Sequence, residues 1–404
     1  MATDAATLRG GRTSVAREIP HTVSPGLWTL AWRRLRSDTV GMVSLVIVAA
    51  FIVMMILSAA GLVAADWNRE VGVNYAPPTF LGSEPAAAEQ AATTLPSSGA
   101  PAGASEYKSK IVDPIGDVIE ALKAGRTPGA AAPSAAAPPA ESADEKSVDP
   151  LADVMADIRK SEASKATAKP VERKATLPFG GDKWGRDVLK KTIKGSETSI
   201  FVGLAAATLA TFLGTVFGAV AGYFGRWVDD AFNWFYSVFS SIPYLLLILA
   251  VAAVLQQKGV FTVILILGLT GWTGVFRLLR AEYLKHKSRE YVQAADAIGA
   301  SNARRMFLHI FPNVSHVVLV QLSILVVGFI KAEVILSFLG FGVPVDVVSW
   351  GSMLNEAQNE LILGKWWQLV AATTAMAILV TAFSLFTDAL RDALDPKLKG
   401  RAGA

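Results

Sequence analysis

Apolar positions gather into six stretches that contain no Asp, Glu, Lys or Arg: 39–65, 198–225, 231–257, 259–276, 314–330 and 366–387. Each is close to the roughly 20 residues that an α-helix needs to cross a bilayer core. Six such runs in one chain predict an all-α membrane protein with six transmembrane helices rather than a large soluble core. Gly214, Gly218 and Gly222 recur at every fourth residue of the second span, a spacing that lets helices pack closely in a membrane. Pro243 lies inside the third and predicts a local kink.

Between the fourth and fifth spans the pattern turns polar, with residues 290–313 reading EYVQAADAIGASNARRMFLHIFPN. Residues 290–298 are expected to form one short helix, Gly299 to take the left-handed conformation that stops it, Ser301 to cap a second helix and Pro312 to close the unit. Lys and Arg number 6 before Asp38, 1 at Arg226, 7 from Arg277 to Arg305 and 4 after Asp388, a total of 18. The opposite short loops hold only Lys258 and Lys365. The positive-inside bias therefore places both termini and this two-helix lever in the cytoplasm.

With 52% hydrophobic residues the composition excludes an ordinary soluble enzyme, and the net charge of +4 reflects topology rather than nucleic-acid binding. The absence of cysteine removes disulfides and thiolate metal sites. Within the cytoplasmic residues 1–38, Leu27, Trp28, Ala31, Trp32 and Leu35 share one helical face and Arg33, Arg34 and Arg36 lie elsewhere. This fits an interfacial helix on an anionic inner leaflet, with a plain basic flank as the alternative. The first span, 39–65, is too long for a signal h-region and is expected to remain as an anchor.

Residues 66–196 form the loop after that anchor, and within it 83–176 is dominated by Ala, Pro, Ser, Glu and Lys. Such composition predicts a largely disordered periplasmic insertion. VDPIGDVIEALK from Val112 nevertheless matches VDPLADVMADIR from Val148. Asp113 and Asp149 can cap, Pro114 and Pro150 suit a first helical turn, and each copy reads as a short amphipathic helix. The pair either folds on itself, docks on a partner or forms only transiently.

The 290–313 lever resembles the EAA loop of permease subunits of bacterial ABC importers, on Ala294, Ala295, Gly299 and Pro312. Gln293 stands where that family usually carries glutamate, with Glu290 nearby. LPFGGDKWGRDVL, residues 177–189, resembles the external motif of dipeptide, oligopeptide and nickel permeases through Phe179, Gly180, Asp182, Gly185, Arg186 and Asp187, with Gly181 in place of the usual threonine. LSFLGFGVPVDVVSWG, residues 336–351, and RDALDP, residues 391–396, are similar to the same family.

The resemblance implies the type I ABC importer permease fold, with residues 197–390 as a five-helix core and 391–404 as a cytoplasmic end. It implies a subunit of the bacterial inner membrane that forms half of a pore for peptides or similar small solutes beside a homologous permease subunit. It also implies two cytoplasmic ATPase subunits, a periplasmic substrate-binding protein, and ATP and Mg held by the ATPases and not by this chain. Glu290, Gln293, Ala294, Ala295, Gly299, Arg304, Arg305 and Pro312 would couple to an ATPase. There Ala294, Ala295 and Ala297 permit close approach to a groove, and Arg304 and Arg305 either pair with its acidic groups or only follow the charge rule.

No GxxxxGK[ST] phosphate loop occurs, so ATP hydrolysis and catalysis are not expected of this polypeptide. Lys331 lies about 25 Å along the fifth span and can snorkel outward, and Glu333 is expected to face an external vestibule. His309 and His316 have no second ligand at helical spacing, which argues against a metal site. The alternative function, an ATP-independent secondary transporter or channel, calls for mid-span charges and pseudo-symmetric halves that the sequence does not display.

Overall fold

A computed structural model describes residues 27–82 and 173–394. The repeat at 112–123 and 148–159, nearly all of the 83–176 insertion and the last residues of RDALDP lie outside them. Among the described residues there are helices and isolated bridges but no strand.

The first helix, α1 (Leu27–Ser37), stops one residue before α2 (Thr39–Ala59), whose N-cap Asp38 accepts the Val40 N–H at 3.0 Å. On α1, Ala31 and Leu35 are buried in a cluster with Val320, Ala389, Ala393 and Leu394, while Trp28 and Trp32 stay half exposed. The face expected to rest wholly on lipid is thus shared between the bundle and the surface.

The second span, expected from residue 198, begins at 188 as α3 (Val188–Phe224), 37 residues or about 55 Å. Its added turns carry charges that would end a bare membrane helix, but each has a partner. Lys190 meets Asp66 at 2.7 Å, Lys191 meets Asp182 at 2.8 Å, and Glu197 takes both Lys194 and the Ser58 hydroxyl at 2.7 Å.

Residues 231–257, expected as one span, divide into α4 (Arg226–Ser240) and α5 (Tyr244–Leu255), bent by 84°. Pro243 supplies the break: it has no N–H for the ladder, and its ring disfavours the helical conformation at Ile242. The fourth span is α6 (Val260–Thr270) and α7 (Thr273–Lys287), bent by 40°. There follow α8 (Glu290–Ala297), a wide π-helical turn (Arg304–Ile310) continuous with α9 (Phe311–Phe338), α10 (Trp350–Ile362) and α11 (Trp367–Leu394). Four described helices are long and apolar enough to cross a membrane, and the total reaches six when each bent pair is one span.

Long α3 is the axis of the bundle, packed against α7, α9, α6 and α2. A Cβ on Gly214 would lie 2.6 Å from Val275 Cβ, on Gly218 2.8 Å from the Phe276 carbonyl and on Gly222 2.6 Å from the Arg280 carbonyl. The glycine row is therefore the seam between α3 and α7. Phe217, Phe232, Phe235, Tyr236 and Phe239 close around Trp272 and Phe276 beside it, tying α4 to the same seam.

Candidate functional site

Two polar constructions occupy opposite ends of α3. At its C-terminal end stands the lever. Helix α8 runs from Glu290 to Ala297 and ends at Gly299, which has φ +81° and donates to the Asp296 carbonyl at 2.9 Å, while the Ala300 N–H reaches the Ala295 carbonyl at 3.0 Å. These bonds and the left-handed glycine make the corner that the sequence predicts. Ser301 Oγ then accepts the Arg304 N–H at 3.3 Å and opens the π-helical turn.

Pro312 does not close this unit. It lies in the first turn of α9, and the helix runs on through it from residue 304 to 338. A wide turn tolerates the missing donor and the bulk of the ring, because its bonds reach one residue further back; the Phe311 N–H bonds to the Met306 carbonyl. The second half of the lever and the spanning helix are one continuous rod.

The coupling residues read from the sequence divide between two faces. Val292 and Ala295 are buried against Ala219, Tyr223, Tyr283, Met306, Ile310 and Val314, so Ala295 fixes the lever to the bundle. Glu290, Gln293, Ala294, Ala297 and Gly299 are exposed, and the Gln293 amide donates to the Ser288 carbonyl at 3.3 Å. Arg304 is exposed, but Arg305 turns inward: it bonds Asn302 Oδ1 at 2.6 Å, pairs with Asp296 and lies over the Tyr223 ring. Ile298, 84% exposed at the tip of the corner, is an apolar side chain that the sequence offers only as the last residue of a helix.

At the N-terminal end of α3 the external motif forms a clasp. Asp182 is fully buried: Oδ1 accepts the N–H groups of Trp184 and Arg186 at 2.9 and 3.0 Å, and Oδ2 accepts Lys191 Nζ. Asp187 caps α3 by accepting the Leu189 N–H at 2.8 Å. Gly185 has φ +75°, and a Cβ there would meet the Gly72 carbonyl at 2.0 Å. Gly180 has φ +86° and lies under the Trp367 ring, whose Nε1 donates to the Gly181 carbonyl at 2.7 Å. Arg186 stacks over Trp184 at 4.2 Å, and Phe179 is about half exposed. The motif thus fastens residues 67–82 to the starts of α3 and α11.

The sequence reading missed a charge cluster beneath this clasp. Lys191 is buried and donates to Asp182, to Glu356 of α10 at 2.6 Å and to Gln368 of α11 at 3.2 Å. Glu360, one turn beyond Glu356, is also buried, and no side chain donates to its carboxyl oxygens. Burial pushes its carboxyl up to about 7 against the pull of Lys191. A buried lysine needs acidic partners, so Lys191 at the edge of an apolar run was the available signal, but its partners lie far along the chain. Glu333, expected to face a vestibule, is instead fully buried between α3 and α9, where it accepts hydroxyl bonds from Ser199 and Ser337. Lys331 is exposed.

Residues 214–400 match the sequence model of the binding-protein-dependent transport system inner membrane component family, and residues 26–78 match that of the N-terminal TM domain of oligopeptide transport permease C. The chain is 38% identical over 221 residues to the dipeptide transport system permease protein DppC of Bacillus subtilis (strain 168), spanning 55% of this chain and 69% of that protein. It is 37% identical to the oligopeptide transport system permease protein OppC of the same organism, over 55% and 72% of the two chains. With OppC of Haemophilus influenzae the identity is 34%, over 54% and 70%.

Proposed function

Because this chain belongs to the family of binding-protein-dependent transport system inner membrane components, with dipeptide and oligopeptide permeases as relatives, we propose that it forms half of the pore of an ATP-driven peptide importer. A homologous permease subunit supplies the other half. The charge asymmetry of the loops supports an orientation with both termini and the lever in the cytoplasm and the clasp at the periplasmic face. Two ATPase subunits in the cytoplasm bind ATP and Mg, and a periplasmic binding protein delivers the cargo. This chain is the mechanical element and performs no hydrolysis.

One observation carries the reading: the exposed corner Ala294–Ala297–Ile298–Gly299 is braced through Ala295 and Arg305 onto a helix that runs unbroken from residue 304 to 338. A push on that corner is delivered to a spanning helix instead of being lost in a flexible loop. Exposed small residues let a partner surface approach closely, and Ile298 is an apolar knob for its groove.

The test is copurification. Ile298→Asp and Ala294→Asp place a charge on the exposed face, where it leaves the bundle intact, and each is expected to strip the ATPase from a normally inserted permease. Burying an unpaired carboxylate at such a contact costs on the order of 2–5 kcal/mol, enough to abolish recovery of the complex. ATPase retained in both variants, or peptide uptake with no ATPase present, defeats the proposal and favours an ATP-independent transporter.

A further inference from the structure

The segment LSFLGFGVPVDVVSWG, residues 336–351, joins α9 to α10 and takes no part in the lever. Its conformation converges on one side chain. Ser337 Oγ donates to Glu333 Oε1 and Ser199 Oγ donates to Glu333 Oε2, both at 2.7 Å. Each serine oxygen is also an acceptor: Ser337 Oγ takes the Val343 N–H at 3.3 Å, and Ser199 Oγ takes the Trp350 N–H at 3.2 Å. A backbone N–H can only donate and occupies one lone pair of each hydroxyl, which leaves each hydroxyl proton free to point at Glu333.

Two relays therefore end on Glu333, which the Ser349 hydroxyl of the same connection also meets: one comes from the middle of the connection and one from the first residue of α10, whose N–H has no acceptor within its own helix. Packing leaves these groups no slack. A Cβ on Gly342 would fall 1.9 Å from Ser337 Oγ and one on Gly351 2.5 Å from Ser337 Cβ. Trp350 Nε1 adds a bond to the Thr192 carbonyl at 3.0 Å. Glu333 and the lever stand on the same rod, about 43 Å apart along its axis at 1.5 Å per residue.

We propose that Glu333 is a positioning residue: through Ser199 and Ser337 it fastens the α9–α10 connection and the start of α10 to α3 and α9, so that both follow the helix that carries the lever. This rests on the function proposed above only in assigning the lever's motion to ATPase subunits. The fastening itself is a property of this chain.

The chain has no cysteine, so a Val345→Cys substitution, at a site 87% exposed on the connection, accepts a single spin label in the full transporter reconstituted in lipid. The label is read in otherwise unchanged protein and in Ser199→Ala, Ser337→Ala, Glu333→Gln and Glu333→Leu. Gln offers one acceptor oxygen where Glu offers two, so mobility is expected to rise in each alanine variant and in Glu333→Gln, and further in Glu333→Leu. Binding-protein-stimulated ATP hydrolysis is expected to fall about tenfold in Glu333→Gln, the factor for one lost hydrogen bond to a carboxylate, with basal hydrolysis and subunit recovery unchanged. A merely structural role would lower all three together and is thereby excluded or established.

If Glu333→Leu does not assemble, the serine variants decide, since each removes a single hydroxyl. A label unmoved in both serine variants overturns the proposal, and so does lost stimulation with an unmoved label. If no ATPase copurifies, the proposed function fails, and the label still decides whether Glu333 fastens the connection.

Discussion

Glu360 sits one helical turn from Glu356, and both share the field of Lys191 and Asp182, with Tyr75 also facing the site. Removed from water, its carboxyl binds a proton more readily in the folded protein than in the unfolded chain, where the ordinary value is 4.5. Between about 4.5 and about 7 the native state therefore holds more protons than the unfolded one, and stability falls as pH rises through that window. Asp66, lowered by its bond to Lys190, acts with opposite sign below 3.8 and does not intrude. Melting in detergent should fall with rising pH between about 4.5 and about 7 more steeply than in Glu360→Gln, which is neutral at that position throughout. An equal slope in both proteins would show that another group titrates.

The glycine row makes the corresponding test for an element. Gly218 faces the Phe276 carbonyl and Leu279 Cβ within 3 Å of where its own Cβ would be, so Gly218→Val must separate α3 from α7. Overpacking of a close seam costs roughly 1–3 kcal/mol. Because the Trp272 cluster and the lever's buried face both lean on that seam, lowered thermal stability should come with lost ATPase copurification. Gly274, with open space around it, serves as the control: Gly274→Ala should change neither. Spacing alone announced this seam, as glycine on successive turns of an apolar run has few other uses. The bent third span was less legible. An uncharged run has no direction written into it, and only Pro243 marked where 84° of turn would fall. The early start of α3 was hidden because the partners that neutralise Lys191 come from segments on either side of it in sequence, and the inward face of Ala295 was hidden because alanine suits a buried seam and a docking face equally well.

For the whole molecule, the informative feature is how the chain closes where the long insertion leaves it. Thr79 N–H bonds to the Leu177 carbonyl at 2.9 Å, Leu177 N–H returns to the Pro77 carbonyl at 3.2 Å, and Gly181 N–H bonds to the Ala76 carbonyl at 2.7 Å. The two flanks are joined by their own backbone. Deleting residues 83–174 and bridging them with a short Gly-Ser linker should leave the melting temperature and ATPase recovery unchanged, and a collapse of either would show that the insertion holds the bundle together. For a chain segment closed by a fixed stem, each doubling of its length costs only about 0.6 kcal/mol more, so the length between the two flanks is a weak constraint. The stem is in effect a socket, held by bonds of its own, into which an experimenter can plug a folded reporter in place of residues 83–174.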